Sequence, residues 1–201
     1  MEGREWGRGC EYFVISRDFI FSSAICFLLG KGKCDVVDSV SYFECVDFEC
    51  TKLLIIQLEY GKCSFDLLVK TLKMCVTINN LPILLIDCTS GVFLLNSINK
   101  IINASVVSSK ISFCQLESII MEVASGNKVI CNLSERKINK TDVPLLSFKE
   151  IVILLQVANG MSSKNISEKN NGNIKTIYAH IDNIKRKANV RRYSDLISIC
   201  K

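Results

Sequence analysis

Between Leu146 and Cys200 apolar residues recur at three- and four-residue spacing and are interrupted by stretches built to stop a helix. Ser147 followed by Glu150 is the S-x-x-E arrangement in which two free amide donors at a helix start are satisfied reciprocally. A helix therefore begins there, with Ile151, Leu154, Leu155 and Ala158 as its apolar stripe. Gly160, able to take a left-handed conformation, ends it. Ser162 or Ser163 can cap a second, shorter helix holding Ile166, and Asn170, Asn171, Gly172 and Asn173 then break the chain with residues that tolerate positive φ. Asn173 can cap a third helix through IKTIYAHIDNIKRKA, with Ile174, Ile177, Ile181 and Ile184 as its buried face. A fourth helix runs from Tyr193 to Cys200. Two helices joined by such a turn predict a helix-turn-helix.

The same segment holds the excess charge. Residues 146–201 carry ten Lys and Arg against four Asp and Glu, a surplus of six, whereas residues 1–145 carry fifteen against sixteen. The third helix can direct Lys175, Thr176, Tyr178, Ala179, His180, Asp182, Asn183, Lys185, Arg186 and Lys187 outward, a mixture of hydrogen-bonding side chains and cations suited to a major groove. A Lys-rich helix face is more often simply solvated, but here cap, turn and charge segregation coincide. Lys164, Lys175, Lys185, Arg186 and Lys187 are the candidates for phosphate contacts. Tyr178, Ala179, Asp182 and Thr176 are those for base edges, and Asn183 suits either role. Tyr178 has a competing reading as a partly buried aromatic on the helix flank.

Residues 146–200 resemble, without a gap, the DNA-binding domain of the LuxR/FixJ (NarL-type) transcription regulators. The family's L-T-x-R-E is matched by LSFKE, its A-x-G-x-S-N-K-E-I-A by ANGMSSKNIS, its T-V-K-x-H-x-x-N-I by TIYAHIDNI, and its K-L-x-V-R by KANVR. Val152 stands where the family usually has a second Glu, and Tyr178 where a Lys often meets base edges. Asp182 on the groove side is also unusual, so the preferred DNA sequence is expected to differ from that of typical members. The resemblance implies that His180 bonds phosphate or backbone rather than a metal. It also implies that the last helix supplies a dimer contact, for which Leu196 and Ile197 are the candidates.

The 201 residues, 49% hydrophobic and 22% charged, allow one domain of about 120 to 140 residues and a small second one. Eleven cysteines without a C-x-x-C pair, and a single histidine, indicate neither a zinc site nor a disulfide framework. Structural cysteines are favoured over redox sensing, and a reducing cytosol fits best. No targeting signal is read. The apolar segments Phe19 to Leu29 and Leu81 to Leu95 fall short of the ~20 residues a bilayer needs and suit a buried core.

Short, continuously apolar strands alternate with amphipathic segments in the first part of the chain. Strands are expected at Tyr12 to Ile15, near Val36, at Lys52 to Leu58, at Pro82 to Ile86 and at Ser105 to Val107. Helices are expected at Phe19 to Leu29, Ser64 to Met74, Val92 to Ile101 and Phe113 to Ala124. Such strands are typical of a parallel sheet covered on both faces, a doubly wound α/β domain of flavodoxin-like type. The layout is similar to the receiver domain of response regulators. A working receiver needs acidic residues after its first strand to hold Mg²⁺ and an Asp at the end of its third to accept phosphate. Here Ser16 and Arg17 take the first places, with Asp18 nearby, and Gln57 stands at the phosphoacceptor position. A degenerate receiver, without metal or cofactor, is therefore expected. The competing reading builds an altered metal site from Asp18, Asp87 and Glu59.

The expected organisation is a receiver-like domain over 10–131, a linker over 132–145 and an all-α four-helix LuxR-type helix-turn-helix domain over 146–201. The function it implies is sequence-specific, phosphorylation-independent transcription regulation, cytoplasmic and nucleoid-associated, with a link to surface-structure or virulence genes. Expected partners are double-stranded DNA and a second copy or a related response regulator, with RNA polymerase a further candidate and no membrane. The alternative is an interaction module that sequesters a related regulator with little DNA contact of its own. Enzymatic activity has no assembled nucleophile, base and orienting group to support it, and RNA binding ranks below both readings.

Overall fold

A computed structural model describes residues 10–30, 32–37, 48, 50–58, 65–78, 81–87, 92–129 and 144–199. Its elements run β1 (Tyr12–Ile15), α1 (Phe19–Leu29), β2 (Cys34–Val37), β3 (Leu53–Leu58), α2 (Phe65–Thr77), β4 (Ile83–Asp87), α3 (Val92–Ile102), β5 (Ser105–Ser108), α4 (Phe113–Ala124), then α5 (Phe148–Ala158), α6 (Ser163–Lys169), α7 (Ile174–Lys187) and α8 (Tyr193–Ile199). Two compact units result. One holds residues 1–88 and 102–133, the other residues 89–101 and 134–201. In the second unit the Leu146 amide donates to Ser97 Oγ of α3 at 3.1 Å.

The strands form a five-stranded, all-parallel sheet in the order β2-β1-β3-β4-β5. This is the flavodoxin-like order, which reverses direction between β1 and β3. Alternate residues Tyr12, Val14, Leu53, Ile55, Leu84, Ile86 and Val107 share one core with Ile25 of α1 and Leu116, Ile119, Ile120 and Val123 of α4. Their neighbours Phe13, Ile15, Leu54, Ile56, Leu85 and Val106 are equally buried. Both faces of the strands are therefore apolar, as a helix-covered parallel sheet requires.

The strands fall within a residue of expectation. α2 runs three residues past Met74, because Cys75, buried like Val69 and Leu72, prolongs its apolar stripe. The expectation that Phe19 to Leu29 lies in the core needs correction. Only Ser22 and Ile25 are fully buried, while Phe19, Ile20 and Phe27 are each more than 80% exposed. A helix lying on one face of a sheet buries a single stripe, and this helix carries large apolar residues outside that stripe as well. Among the described residues no helix is long and apolar enough to cross a membrane. The expected linker lies, up to residue 143, outside the described residues, as does Glu59.

Candidate nucleic-acid interface

α5 starts on the expected capping box: Ser147 Oγ accepts the Glu150 amide at 3.3 Å and Glu150 Oε2 accepts the Ser147 amide at 2.7 Å. It stops at Gly160 (φ 79°) in a Schellman motif, with the Met161 amide on the Gln156 carbonyl and the Gly160 amide on that of Val157. Ser162, not Ser163, caps α6. The turn that follows is a second Schellman motif. Asn171 takes the left-handed conformation (φ 48°), and Gly172 donates to the Ser167 carbonyl at 2.9 Å. Asn173 then caps α7 by accepting the Lys175 amide at 2.8 Å. The polar run thus works as one device that closes α6 and opens α7.

α7 buries Ile177, Ile181 and Ile184 almost completely. Ile174 departs from the expected buried face, being 37% exposed. It is the first residue of the helix and has no preceding turn to cover it. Lys175, Thr176, Tyr178, Ala179, Asp182 and Arg186 are exposed, and His180, Asn183, Lys185 and Lys187 are half-buried. Lys164, on α6, is exposed. Asp182 is not an isolated carboxylate, since Lys185 Nζ lies 3.4 Å from it. Arg186 Nη2 donates to Asn183 Oδ1 at 3.0 Å. Tyr178 is 53% exposed, which leaves about half of its ring accessible for a base-edge contact while the rest is covered on the helix flank. It lies close enough to Tyr193 of α8 to help partial burial raise that phenol's pKa.

Two expected site residues have other uses within the domain. Lys187 donates to Glu150 Oε2 at 2.6 Å and to the Leu145 carbonyl at 3.2 Å, so its ammonium is held by the start of α5. Leu196, expected at a dimer surface, is fully buried and fixes α8 within its own domain. A side chain with no accessible area cannot also meet a partner, so the dimer contact is corrected away from Leu196. Ile197 is half-buried.

The polar residues that position α7 were read from sequence only in part. Glu150 is almost wholly buried, and burial by itself would raise its carboxyl. The Lys187 ammonium and the amide and hydroxyl of Ser147 outweigh it and hold the carboxyl below the usual range. Buried Gln156 of α5 accepts from Asn170 Nδ2 at 2.9 Å, tying the end of α6 to α5. The capping motif pointed to Glu150. Nothing in the sequence linked Gln156 to Asn170, fourteen residues on.

In the other unit, Ser16 follows β1 and Gln57 lies near the end of β3, at the switch point where ligands bind in this class of sheet. Both are buried, and the Ser16 hydroxyl donates to Gln57 Oε1. Asp18 spends its carboxylate on capping α1, accepting the amides of Ile20 and Phe21 at 2.9 and 3.0 Å.

Residues 144–200 match the family described as "Bacterial regulatory proteins, luxR family". The fold is similar to that of the two-component response regulator RcsB in a complex with DNA (TM-score 0.65, 19% identity, 94% of this chain and 97% of that one). It is also similar to RcsB from Salmonella enterica serovar Typhimurium bound to promoter rprA in the presence of phosphomimetic BeF3- (TM-score 0.60, 17% identity, 96% and 98%). No curated protein matches the chain significantly. The C-terminal helices are thus a LuxR-family helix-turn-helix domain, carried on a chain with the receiver-plus-helix-turn-helix fold of RcsB-type response regulators.

Proposed function

We infer that the chain is a DNA-binding transcription regulator whose α7 enters the major groove, and that it acts without phosphorylation. The observation that carries the reading is the division of α7. Three isoleucines bury one side, while Lys175, Thr176, Tyr178, Ala179, Asp182 and Arg186 are left to solvent on a helix presented by a capped turn. The two RcsB structures, both described as bound to DNA, support it by analogy of fold. Lys164, Lys175, Lys185 and Arg186 contact phosphates. Tyr178, Ala179 and Thr176 meet base edges, Asp182 accepts from a cytosine amino group, and Asn183 and His180 bond phosphate or backbone groups at the edge of the interface. Lys187 has a positioning role instead, through Glu150. One domain this small offers a limited interface, so two copies on adjacent half-sites are expected.

Phosphorylation independence rests on the switch point. Gln57 is an amide and cannot form an acyl phosphate, and the neutral Ser16–Gln57 pair occupies a place where a receiver gathers carboxylates. Activity is then set by abundance, by a ligand or by a partner, with surface-structure or virulence genes as the proposed targets.

Genome-wide capture of DNA bound to the full chain in its native host tests the reading. Discrete promoter peaks that vanish with Lys175→Glu are expected. A folded chain that enriches no DNA would overturn it. The second reading, a module that pairs with a related response regulator and sequesters it, is favoured by Phe19, Ile20 and Phe27, an exposed apolar face unusual for a monomer. Co-purification of such a regulator, lost on replacing Phe27 by Ser, with no DNA enrichment would select it.

A further inference from the structure

α1 ends at Leu29, and the chain returns to the sheet through Gly30 and Gly32, both with positive φ (93° and 86°), before β2 opens at Cys34. Lys33 fixes this reversal. Its amide donates to the Gly30 carbonyl at 3.3 Å, and its own carbonyl accepts the amides of Glu11 and Tyr12 at 3.0 Å each. A return this tight brings the last turn of the helix over the first residue of an edge strand. Cys26 Sγ and Cys34 Sγ stand 3.0 Å apart. Sulfurs in a disulfide are about 2.05 Å apart, so bonding needs about 1 Å of approach by side chains that already face each other. Both belong to regular elements rather than to a loop, and both are half-buried, within reach of a small oxidant.

We propose that Cys26 and Cys34 form a redox modification site, a dithiol that a peroxide converts into an intramolecular disulfide joining α1 to β2. The Cys26 sulfur attacks one oxygen of hydrogen peroxide, giving a sulfenic acid and releasing one water. The Cys34 thiol then attacks that sulfur, and its proton leaves with the displaced hydroxyl as a second water. Two thiols and one peroxide give one disulfide and two waters. Burial and the hydrogen bond with Cys26 push the Cys34 thiol up, so it serves as the second, resolving partner. Cys10, half-buried and pushed up to about 11 by burial and by its hydrogen bond to Asp35, stays a protonated neighbour. In a reducing compartment the site rests as the dithiol, and peroxide followed by thiol reductants makes the change reversible.

The test uses the full chain, reduced and then treated with one equivalent of hydrogen peroxide before free thiols are alkylated and the protein is digested. Trypsin cuts at Lys31 and Lys33, between the two cysteines, and chymotrypsin cuts at Tyr42 and Phe43, separating Cys34 from Cys45 and Cys50. The expected product is a Cys26–Cys34 crosslinked peptide as the dominant disulfide. It should be absent from Cys26→Ser and from Cys34→Ser, retained in Cys10→Ser, and reversed by dithiothreitol. Wild-type protein in which both residues are fully alkylated while other cysteines are oxidised would overturn the proposal. So would dominant pairing of either residue with Cys10 or with a second chain.

Discussion

Glu150 joins the start of α5 to the end of α7, and burial would drive it to the neutral form were Lys187 and Ser147 not there to hold the charge. Its folded pKa lies below the ordinary glutamate value. The stability it contributes is therefore present at neutral pH and is lost as the pH falls below that ordinary value and through the depressed one. Glu150→Gln should cost about 2 kcal/mol at pH 7, the loss for a buried pair discounted because Lys187 is partly exposed, and should flatten the acid limb of a denaturation-versus-pH series. An unchanged acid limb would deny the pair its structural role. Gly160→Ala probes a different cause. Nothing lies within 4 Å of the added methyl, so a loss of about 1 kcal/mol in denaturant melts would be wholly conformational, set by the positive φ.

Helices and strands were legible wherever a local signal fixed them. The capping box, the Asn-rich turn and the three-four spacing of isoleucines place α5, α6 and α7 where they were expected, because each signal acts within a few residues of itself. Signals that depend on what an element packs against were not. Ile174 fits the helical spacing yet sits at the open end, Leu196 faces its own core, and Phe19, Ile20 and Phe27 belong to an apolar helix with only one covered side. Lys187 looked like another groove cation because its partner lies 37 residues away. For α7 itself, Ile181→Ala should destabilise the C-terminal domain by about 2 to 4 kcal/mol, as for other buried aliphatic truncations, and abolish DNA binding through unfolding. Lys175→Glu should leave the melting curve unchanged and weaken binding alone. Circular dichroism beside a binding titration separates the two.

The molecule couples a five-stranded parallel sheet, with a neutral Ser16–Gln57 pair at its switch point, to a basic helix-turn-helix. Acetyl phosphate should leave the protein's mass and its DNA affinity unchanged, and one-to-one incorporation of phosphate would refute phosphorylation independence. The C-terminal surplus of six positive charges resides in the same domain as α7, so binding must carry a strong electrostatic component. The most direct measurement is a fluorescence-anisotropy titration of captured promoter DNA against salt, with wild type and Lys175→Glu side by side. Four phosphate contacts per domain, from Lys164, Lys175, Lys185 and Arg186, predict a log–log slope of about −3 to −4 for each bound domain. Lys175→Glu should make it shallower by about one unit per domain and weaken binding about tenfold or more. Wild-type binding that ignores salt, or a Lys175→Glu protein that binds as tightly and with the same slope, would contradict the placement of α7 on DNA.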